Sequence, residues 1–454
     1  MSIKSISPVD GRYSSLTGPL SDFFSEWALI KYRLHVEIEW LIMMSKLTEI
    51  THVRALTGSE EESLRSIVAE FDEGKAMRVK DIEEITRHDV KAVEYYIKER
   101  LKDTPFEDLS ESIHFCCTSE DINNLAYGLM LKDGIRNEWL PLAQILVEKV
   151  TELATSMRKI PMLARTHGQA ATPTTMGKEL AVFVYRWQRQ LNQVVRAEYL
   201  GKFNGAVGCY NAHYIAYPNA PWEEVSRSFV ESLGLTFNPM TTQIESHDYM
   251  AELFHALIRF NNITVDFNRD MWTYISLGYF CQKGIKGEVG SSVMPHKVNP
   301  IDFENSEANI GVSNSILNYL ASKLTVSRLQ RDLTDSSALR NIGTAVGHSF
   351  VALKSAMLGL DRVVVDEKTI QADLNDSWEV LSEAVQTTMR KACLKNPYEQ
   401  MKDLTRGKKI THEDIRSFIR TLELPDEDKD RLLALTPDTY IGCAPDLINN
   451  IATP

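Results

Sequence analysis

The sequence predicts an all-α protein in which a central bundle of long helices lies between two smaller helical parts. Apolar residues recur at intervals of three and four over long stretches in the middle of the chain. The period-two alternation typical of strands is scarce, and the 454 residues exceed the ~300 at which a single core stops growing. We therefore predict three domains, over 1–108, 109–360 and 361–454.

The two outer parts are expected to consist of shorter helices. Residues 1–108 contain stretches with acidic surfaces, such as GSEEESLRSIVAEF and KAVEYYIKER. Residues 361–454 contain short helical segments separated by turn-forming or capping residues, as in NPYEQ and LPDED.

Three apolar stripes predict long helices in the central part. The most regular alternates steps of four and three, as the seam of a coiled coil does; it comprises Leu253, Leu257, Phe260, Thr264, Phe267, Met271 and Tyr274. The second comprises Leu129, Ile135, Trp139, Leu142, Leu146, Val150 and Leu153, and opens with an irregular six-residue step. The third comprises Met176, Leu180, Phe183, Trp187, Leu191 and Val194. Two more long helices are expected at about 305–323 and 339–360.

Composition and charge argue against several classes of function. A net charge of −12 disfavours nonspecific binding of nucleic acid, and no apolar run approaches the roughly 18 residues of a membrane span. The N-terminal residues lack the apolar core of a secretory signal, and the six cysteines lack C-x-x-C spacing. We expect a cytoplasmic protein with reduced thiols and with no nucleic-acid or membrane partner. The eleven histidines include no H-E-x-x-H, so no metal site is expected.

The segment GIKGEVGSSVMPHKVNP, residues 284–300, has the densest group of reactive side chains. Three glycines at intervals of three follow the most regular predicted helix and give the backbone additional freedom. The segment contains no phosphate-binding, dinucleotide or serine-hydrolase motif. A flexible connector would use similar turn residues. The density of polar groups favours a functional loop; these groups are Ser291, Ser292, His296, Lys297 and Asn299.

This segment resembles the signature loop of the fumarase/aspartase superfamily, whose members eliminate fumarate from succinyl-type substrates. Within that superfamily the chain resembles the adenylosuccinate lyases of the longer bacterial type, from residue 7 to residue 409. The other motifs that carry the resemblance are SPVDGRY (7–13), RHDVKAVEYY (87–96), CTSEDINN (117–124), RTHGQ (165–169), TTQIE (241–245) and RDLTDSSALR (331–340). The resemblance implies a three-domain fold whose central bundle assembles into a tetrameric helical core, with each active site built from three chains.

The resemblance also implies a β-elimination that requires no cofactor. Adenylosuccinate would give AMP and fumarate, and succinylaminoimidazole-carboxamide ribotide (SAICAR) would give AICAR and fumarate. His167 is then the general acid and Ser291, on a mobile loop, the general base, although the residues alone do not distinguish Ser291 from Ser292. Glu304 would orient His167, and Lys297 would stabilise the charge that develops on the substrate carboxylate.

Substrate-binding residues follow from the same motifs. Contacts to the phosphate and nucleotide are implied for Arg12, Tyr13, Arg87, His88, Asp89, Asn305, Arg331, Ser336 and Arg340. The resemblance implies a catalytic role for His88 as well. Contacts to the succinyl part are implied for Thr118, Ser119, Gln243, Ser292, Lys297 and Asn299.

Structural roles compete with these assignments at several positions. Thr118 or Ser119 precedes two acidic residues and would equally cap a helix. Glu304 would suit the first turn of a helix, where acids are favoured. Asp89, next to His88, would suit a cap or a salt bridge.

Two other functions are compatible with the same fold. The first is a sister lyase that acts on argininosuccinate or aspartate, but such a substrate has no phosphate for the arginines of DGRY and RDLTDSSALR. The second is a catalytically silent scaffold, which would have no reason to retain Ser291, His167, Lys297 and Glu304 together.

Overall fold

A computed structural model describes residues 3–284, 294, 297–407 and 409–451, and helices dominate it. The chain divides into two compact units. The first comprises the chain as far as Ala143, Gln190–Asn261 and Ala308–Ala352. The second comprises Gln144–Arg189, Asn262–Glu307 and the chain from Leu353 onward. The all-α fold class is confirmed, whereas the three domain boundaries remain a prediction.

The N-terminal part forms helices joined by short connections, as expected. These are α1 (Ser14–Thr17), α2 (Ser21–Phe24), α3 (Glu26–Ser45), α4 (Gly58–Ala69), α5 (Glu73–Thr86) and α6 (Asp89–Leu101), with 3₁₀ turns at Gly18–Leu20 and Glu107–Ser112. Side chains cap several of them. Ser25 Oγ accepts a hydrogen bond from Ala28 N at the start of α3, and Thr57 and Glu60 form a capping box at α4.

The central part contains the long helices that the apolar stripes predict. In chain order the helices of this part are α7 (Ser119–Gly134), α8 (Leu140–Ser156), α9 (Met176–Val195), α10 (Asn211–Ala216), α11 (Trp222–Ser232), α12 (Asp248–Ser276), α13 (Ile301–Leu324), α14 (Thr334–Leu339) and α15 (Ile342–Asp361). Of these, α10, α11 and α14 are shorter and were not predicted from the stripes. A π-helical turn, Ile135–Trp139, joins α7 to α8. The irregular first step of the second stripe, from Leu129 to Ile135, ends at the residue where this turn begins.

The stripes form the apolar interior of each unit. In the second unit the rings of Trp187 and Phe267 pack edge to face with centroids 5.2 Å apart. Trp187 Nε1 donates to Thr264 Oγ1 at 3.1 Å, which explains why a threonine occupies a position in the apolar seam of α12. In the first unit Trp139 packs on Phe260 in the same way, with centroids 5.1 Å apart.

Short strands supplement the helices. They are β1 (Pro161–Thr166), β2 (Gln169–Thr175), β3 (Leu200–Gly201), β4 (Thr236–Phe237), β5 (Phe280–Gln282) and β6 (Val363–Val365). β1 pairs with β2 and β5 with β6 in antiparallel fashion, and β3 pairs with β4 in parallel. The β1–β2 hairpin was not predicted from the sequence.

The C-terminal part consists of short helices around a small apolar core. They are α16 (Glu367–Asn375), α17 (Ser382–Lys391), α18 (Pro397–Thr405), α19 (His412–Thr421), α20 (Asp426–Ala434) and α21 (Ala444–Leu447), with 3₁₀ turns at Trp378–Leu381 and Ile448–Asn450. Met389, Met401, Ile415 and Ile419 are buried in this core. None of the helices that the structure describes combines the length and apolar character needed to cross a membrane.

Candidate active site

His167 occupies the apex of the β1–β2 hairpin. Thr166 pairs with Gln169, so the connection consists of His167 and Gly168 alone. Both have positive φ, 54° and 75°, as a type I′ turn requires. Glycine adopts this conformation freely, and histidine is among the residues that tolerate it. The turn leaves the His167 side chain exposed to solvent.

Arg331 lies in a cluster of polar side chains in the first unit. Its Nη1 donates to Gln243 Oε1 at 3.2 Å and its Nη2 to Glu120 Oε1 at 3.0 Å, with Asp335 Oδ1 at 3.7 Å from Nη2. The Gln243 amide also donates from Nε2 to the carbonyl of Ala206 at 2.8 Å. Arg331 Nε is buried and has no hydrogen-bond partner among the described residues. The structure thus brings together two of the predicted binding residues, Arg331 and Gln243.

Glu120 is a member of this cluster that sequence reasoning did not assign to the site. Its side chain is 3% exposed. Burial raises the pKa of Glu120, and the charge of Arg331 opposes that rise. Asn123 Nδ2 donates to Glu120 Oε1 at 2.9 Å and Arg33 Nε donates to Asn123 Oδ1 at 2.8 Å. A chain of hydrogen bonds therefore leads from Arg331 to a second arginine.

Asp89 and Arg340, both predicted to bind substrate, contact each other. Arg340 Nη2 donates to Asp89 Oδ2 at 3.2 Å, and Arg340 Nη1 bonds Glu26 at 2.5 Å. Asp89 Oδ2 also accepts from Arg33 Nη2 at 2.7 Å. Burial raises the pKa of Asp89, but Arg33 and the other donors outweigh burial and hold the pKa below its usual value. Asp89 thus forms salt bridges, as the structural alternative for this residue predicted. One of its partners, Arg33, lies in none of the motifs that predicted the site.

The cavity beside Arg340 has a volume of about 420 Å³. Asp10, Ser14, Glu26 and Thr344 also line it. It lies within the first unit, next to the DGRY motif, and its lining is mainly polar.

Several predicted residues act as helix caps. His88 Nδ1 accepts from Lys91 N at 3.1 Å at the start of α6, and Arg87 ends α5 in the left-handed conformation with φ 55°. Thr118 is the N-cap of α7, and its N–H donates to Asp121 Oδ2 at 2.8 Å. The capping interpretation is therefore correct for Thr118, and it leaves a role in binding open.

Asp121 also forms a buried ion pair with Lys202, at 2.9 Å and with both side chains fully buried. The same carboxylate accepts from the backbone N–H groups of Asn204 and Gly205. It therefore fixes the N-terminus of α7, where Ser119 is the first residue, against the loop that follows β3.

The other predicted residues of the first unit have simpler surroundings. Arg12 is exposed. Tyr13 Oη accepts a long hydrogen bond from Asn309 Nδ2 at 3.5 Å. Ser336 N donates to Asp335 Oδ1 at 2.7 Å.

In the second unit, Glu304 and Asn305 lie in the first turn and a half of α13. Glu304 Oε1 accepts from Trp272 Nε1 at 3.1 Å, and Asn305 Nδ2 donates to Ser355 Oγ at 2.8 Å. Glu304 therefore lies in the first turn of a helix, as the structural alternative to its catalytic role predicted. Within the described part of this chain, no hydrogen bond joins Glu304 to His167.

The signature loop is described only in part. Lys297 is exposed and Asn299 is half-buried. Ser291, Ser292 and His296 lie outside the described residues. No group of three or more metal-ligating side chains occurs among the residues that the structure describes.

Two family models match the sequence. The first, described as lyase, covers residues 11–314, and the second, described as adenylosuccinate lyase C-terminal, covers residues 327–441. Curated relatives named adenylosuccinate lyase extend over nearly the whole chain. Those of Haemophilus influenzae, Vibrio cholerae and Escherichia coli K12 are 49%, 50% and 50% identical over 99% of both chains. The chain belongs to the adenylosuccinate lyase family.

Solved structures of low sequence identity share the fold. A fumarate lyase from Mesorhizobium sp. BNC1 superimposes with a TM-score of 0.76 over 96% of this chain and 97% of its own, at 18% identity. A 3-carboxy-cis,cis-muconate lactonizing enzyme from Pseudomonas putida gives a TM-score of 0.72 over 96% of both chains, also at 18% identity. These two similarities extend over nearly the whole chain and concern its fold.

Proposed function

We propose that this chain is an adenylosuccinate lyase that releases fumarate from adenylosuccinate, giving AMP, and from SAICAR, giving AICAR. The observation that carries the proposal is the full-length relationship to proteins of that name, at 49–50% identity over 99% of both chains. The C-terminal family model, over residues 327–441, supports this substrate over those of sister lyases.

The elimination needs an acid and a base on opposite sides of the substrate. Ser291 removes the proton beside the carboxylate, and protonated His167 delivers a proton to the nitrogen as the C–N bond breaks. Both the exposure of His167 and its position at a turn apex support this role, because the imidazole is accessible to a ligand. Ser291 needs nearby donors that favour its alkoxide, and Ser292 remains the alternative base.

Lys297 and Asn299 stabilise the negative charge that develops on the substrate. Loss of the C–H proton places a second negative charge on the substrate carboxylate group, and fixed donors and cations in a dry site stabilise it. Thr118, Ser119 and Gln243 hold the succinyl carboxylates.

The arginines of the first unit bind the phosphate and the nucleotide. Arg331 retains a buried Nε–H without a partner among the described residues, so its guanidinium has a donor to offer. Arg340 borders the cavity of about 420 Å³, and arginine's planar fork suits a phosphate group. Arg12, Tyr13, Arg87, His88, Asp89, Asn305 and Ser336 complete this set, and Asp89 also orients Arg340.

The proposal includes a homotetramer with shared sites, a cytoplasmic location and no cofactor. Exposed large apolar side chains on the long helices support assembly; they include Ile145, Tyr185, Trp272, Val312, Tyr319 and Leu358. If three chains build each site, Glu304 of one chain orients His167 of another, which is compatible with the lack of a hydrogen bond between them within one chain.

The test is the absorbance-monitored turnover of adenylosuccinate and SAICAR by the wild type, His167→Ala and Ser291→Ala. Circular dichroism confirms that each variant folds. We expect the wild type to release fumarate and both variants to lose most of the rate. A folded, tetrameric wild type that releases fumarate only from argininosuccinate or aspartate, or from no substrate, would refute the proposal.

A further inference from the structure

The residue two positions before His167 is held by groups from two other elements. Arg165 lies on β1, next to the turn, and pairs with Ala170 across the hairpin. Arg165 Nη1 donates to Tyr279 Oη at 2.8 Å, and Arg165 Nη2 donates to Asp373 Oδ2 at 2.5 Å. The Tyr279 hydroxyl donates to the same Asp373 oxygen. The three side chains thus form a closed triangle.

The triangle joins three segments of the second unit that are distant in the sequence. Arg165 is on β1, Tyr279 directly precedes β5, and Asp373 is on α16. Tyr279 is only 1% exposed, and its carbonyl accepts from Asp366 N at 2.8 Å, so the residue is held by its backbone as well as its hydroxyl. Burial, with a contribution from Asp373, raises the pKa of Tyr279 to about 12, which keeps the hydroxyl protonated and able to donate.

Apolar packing fixes the base of the hairpin but not its tip. Leu163 of β1 packs with Leu374 and Val380 in a small buried cluster, whereas β2 is exposed from Gln169 to Ala170 and His167 is exposed at the apex. A two-residue turn has no side-chain packing of its own to fix its direction. The planar fork of Arg165, held by two acceptors from different elements, supplies that constraint next to the turn.

We propose that Tyr279 and Asp373 are positioning residues for His167, acting through Arg165. The inference rests on the proposed function, in which His167 is the general acid. A displacement of about 1 Å at a catalytic group costs up to ~100-fold in rate, so a contact that fixes the hairpin tip matters even though it touches no substrate.

Asp373→Asn and Tyr279→Phe test the proposal, with Asp266→Asn as the matched control. Asp266 forms an exposed ion pair with Arg186 at 2.5 Å in the same unit, and among the described residues it has no hydrogen bond or ion pair with the hairpin. We expect Asp373→Asn to lower kcat about 10- to 100-fold with KM little changed, Tyr279→Phe to lower it less, and Asp266→Asn to leave it unchanged. Thermal unfolding monitors folding, and Tyr279→Phe decides the matter if Asp373→Asn does not fold.

A double substitution separates positioning from general weakening of the structure. If Asp373 acts through His167, adding Asp373→Asn to His167→Ala causes no further loss of the residual rate. A multiplied loss in the double variant, or an unchanged kcat in both single variants, would overturn the proposal.

A second readout does not depend on activity. Diethyl pyrocarbonate modifies neutral imidazole, and mass spectrometry of the His167 peptide gives the modification rate as a function of pH. We expect that profile to change in Asp373→Asn and to match the wild type in Asp266→Asn; the same profile in all three proteins would refute the positioning role. A wild type that turns over no adenylosuccinate would refute the proposed function, while this profile would still report on the hairpin.

Discussion

The Asp89 carboxylate accepts hydrogen bonds from two guanidinium groups in the first unit. Arg33 is almost fully buried, and Asp89 Oδ2 lies 2.7 Å from it, while Arg340 lies 3.2 Å from the same oxygen. A charge as deeply buried as that of Arg33 is tolerated only when it is paired. Asp89 therefore has a structural role that is separable from the proposed contact with substrate.

Asp89→Asn should lower the free energy of unfolding by about 3 kcal/mol, because it leaves the Arg33 charge without a carboxylate. Urea unfolding monitored by circular dichroism measures the loss. The control is Glu99→Gln, which removes a carboxylate from an exposed pair with Arg78 and should change the free energy by less than about 0.5 kcal/mol. Equal losses in the two variants would contradict the assignment of a buried ion pair.

Asp270 on α12 lies in an acidic environment. Burial, and then the charges of Asp266 and Glu179, raise the pKa of Asp270 to about 6. An unfolded Asp titrates near ~4, so between about pH 4 and pH 6 the folded chain binds more protons than the unfolded one. The stability of the folded chain therefore falls as the pH rises through this window.

Asp270→Asn should remove that loss. At about pH 7.5 we expect the variant to be more stable than the wild type by about 1 kcal/mol, a figure reduced because the carboxyl is partly exposed to solvent. At about pH 3 the advantage should vanish, because this pH lies below both pKa values and the wild-type carboxyl is protonated in both states. Thermal unfolding at both pH values measures the difference, and an advantage that is independent of pH would contradict the assignment.

At the scale of elements, the hairpin that carries His167 depends on its turn. The two central residues both need positive φ, and an L-residue with a side chain pays about 1–2 kcal/mol for that conformation. Gly168 has open space around it, so a substitution there tests backbone strain without a steric clash.

Gly168→Ala should destabilise the hairpin by about 1 kcal/mol and lower kcat by displacing His167. Gly58→Ala is the control, since Gly58 also has open space but lies at the start of α4 without a positive φ. Thermal unfolding and turnover of adenylosuccinate provide the two measurements. Equal behaviour of the two alanine variants would show that the turn conformation is not required.

The sequence predicted the long helices but not this hairpin, for a physical reason. A helix that packs along its length repeats its buried positions every three or four residues, so its stripe can be read directly. In β1 the adjacent Met162 and Leu163 are both buried, and a register irregularity lies between Met162 and Ala164. The outer half of the hairpin is exposed on both faces, so the period of two never appears.

At the scale of the whole molecule, the proposed tetramer has sites built from several chains, which can be tested by mixing variants. If each site takes His167 from one chain and Ser291 from another, two inactive variants can complement each other. Tetramers scrambled from His167→Ala and Ser291→Ala chains contain sites that draw an intact residue of each kind from different chains.

We expect the mixture to recover about a quarter of the wild-type rate, since each of the two residues is intact with a chance of one in two. The variants are mixed, dissociated with mild denaturant and reassembled, with each variant treated alone as the control. Tetramers that reassemble fully and stay inactive would show that both residues of a site come from the same chain.

The sequence by itself determined the helical class, the course of the long helices and, through the resemblance of its motifs, the residues expected at the site. These properties are local, because a stripe or a motif is contained within one stretch of chain. The tertiary structure alone decided which charged side chains pair with one another. Hydrogen bonds between distant segments join Arg340 to Arg331 by way of Asp89, Arg33, Asn123 and Glu120. Asp373 contacts the His167 hairpin from α16 in the same way. Such partners are set by how the segments pack, and no spacing along the chain records them.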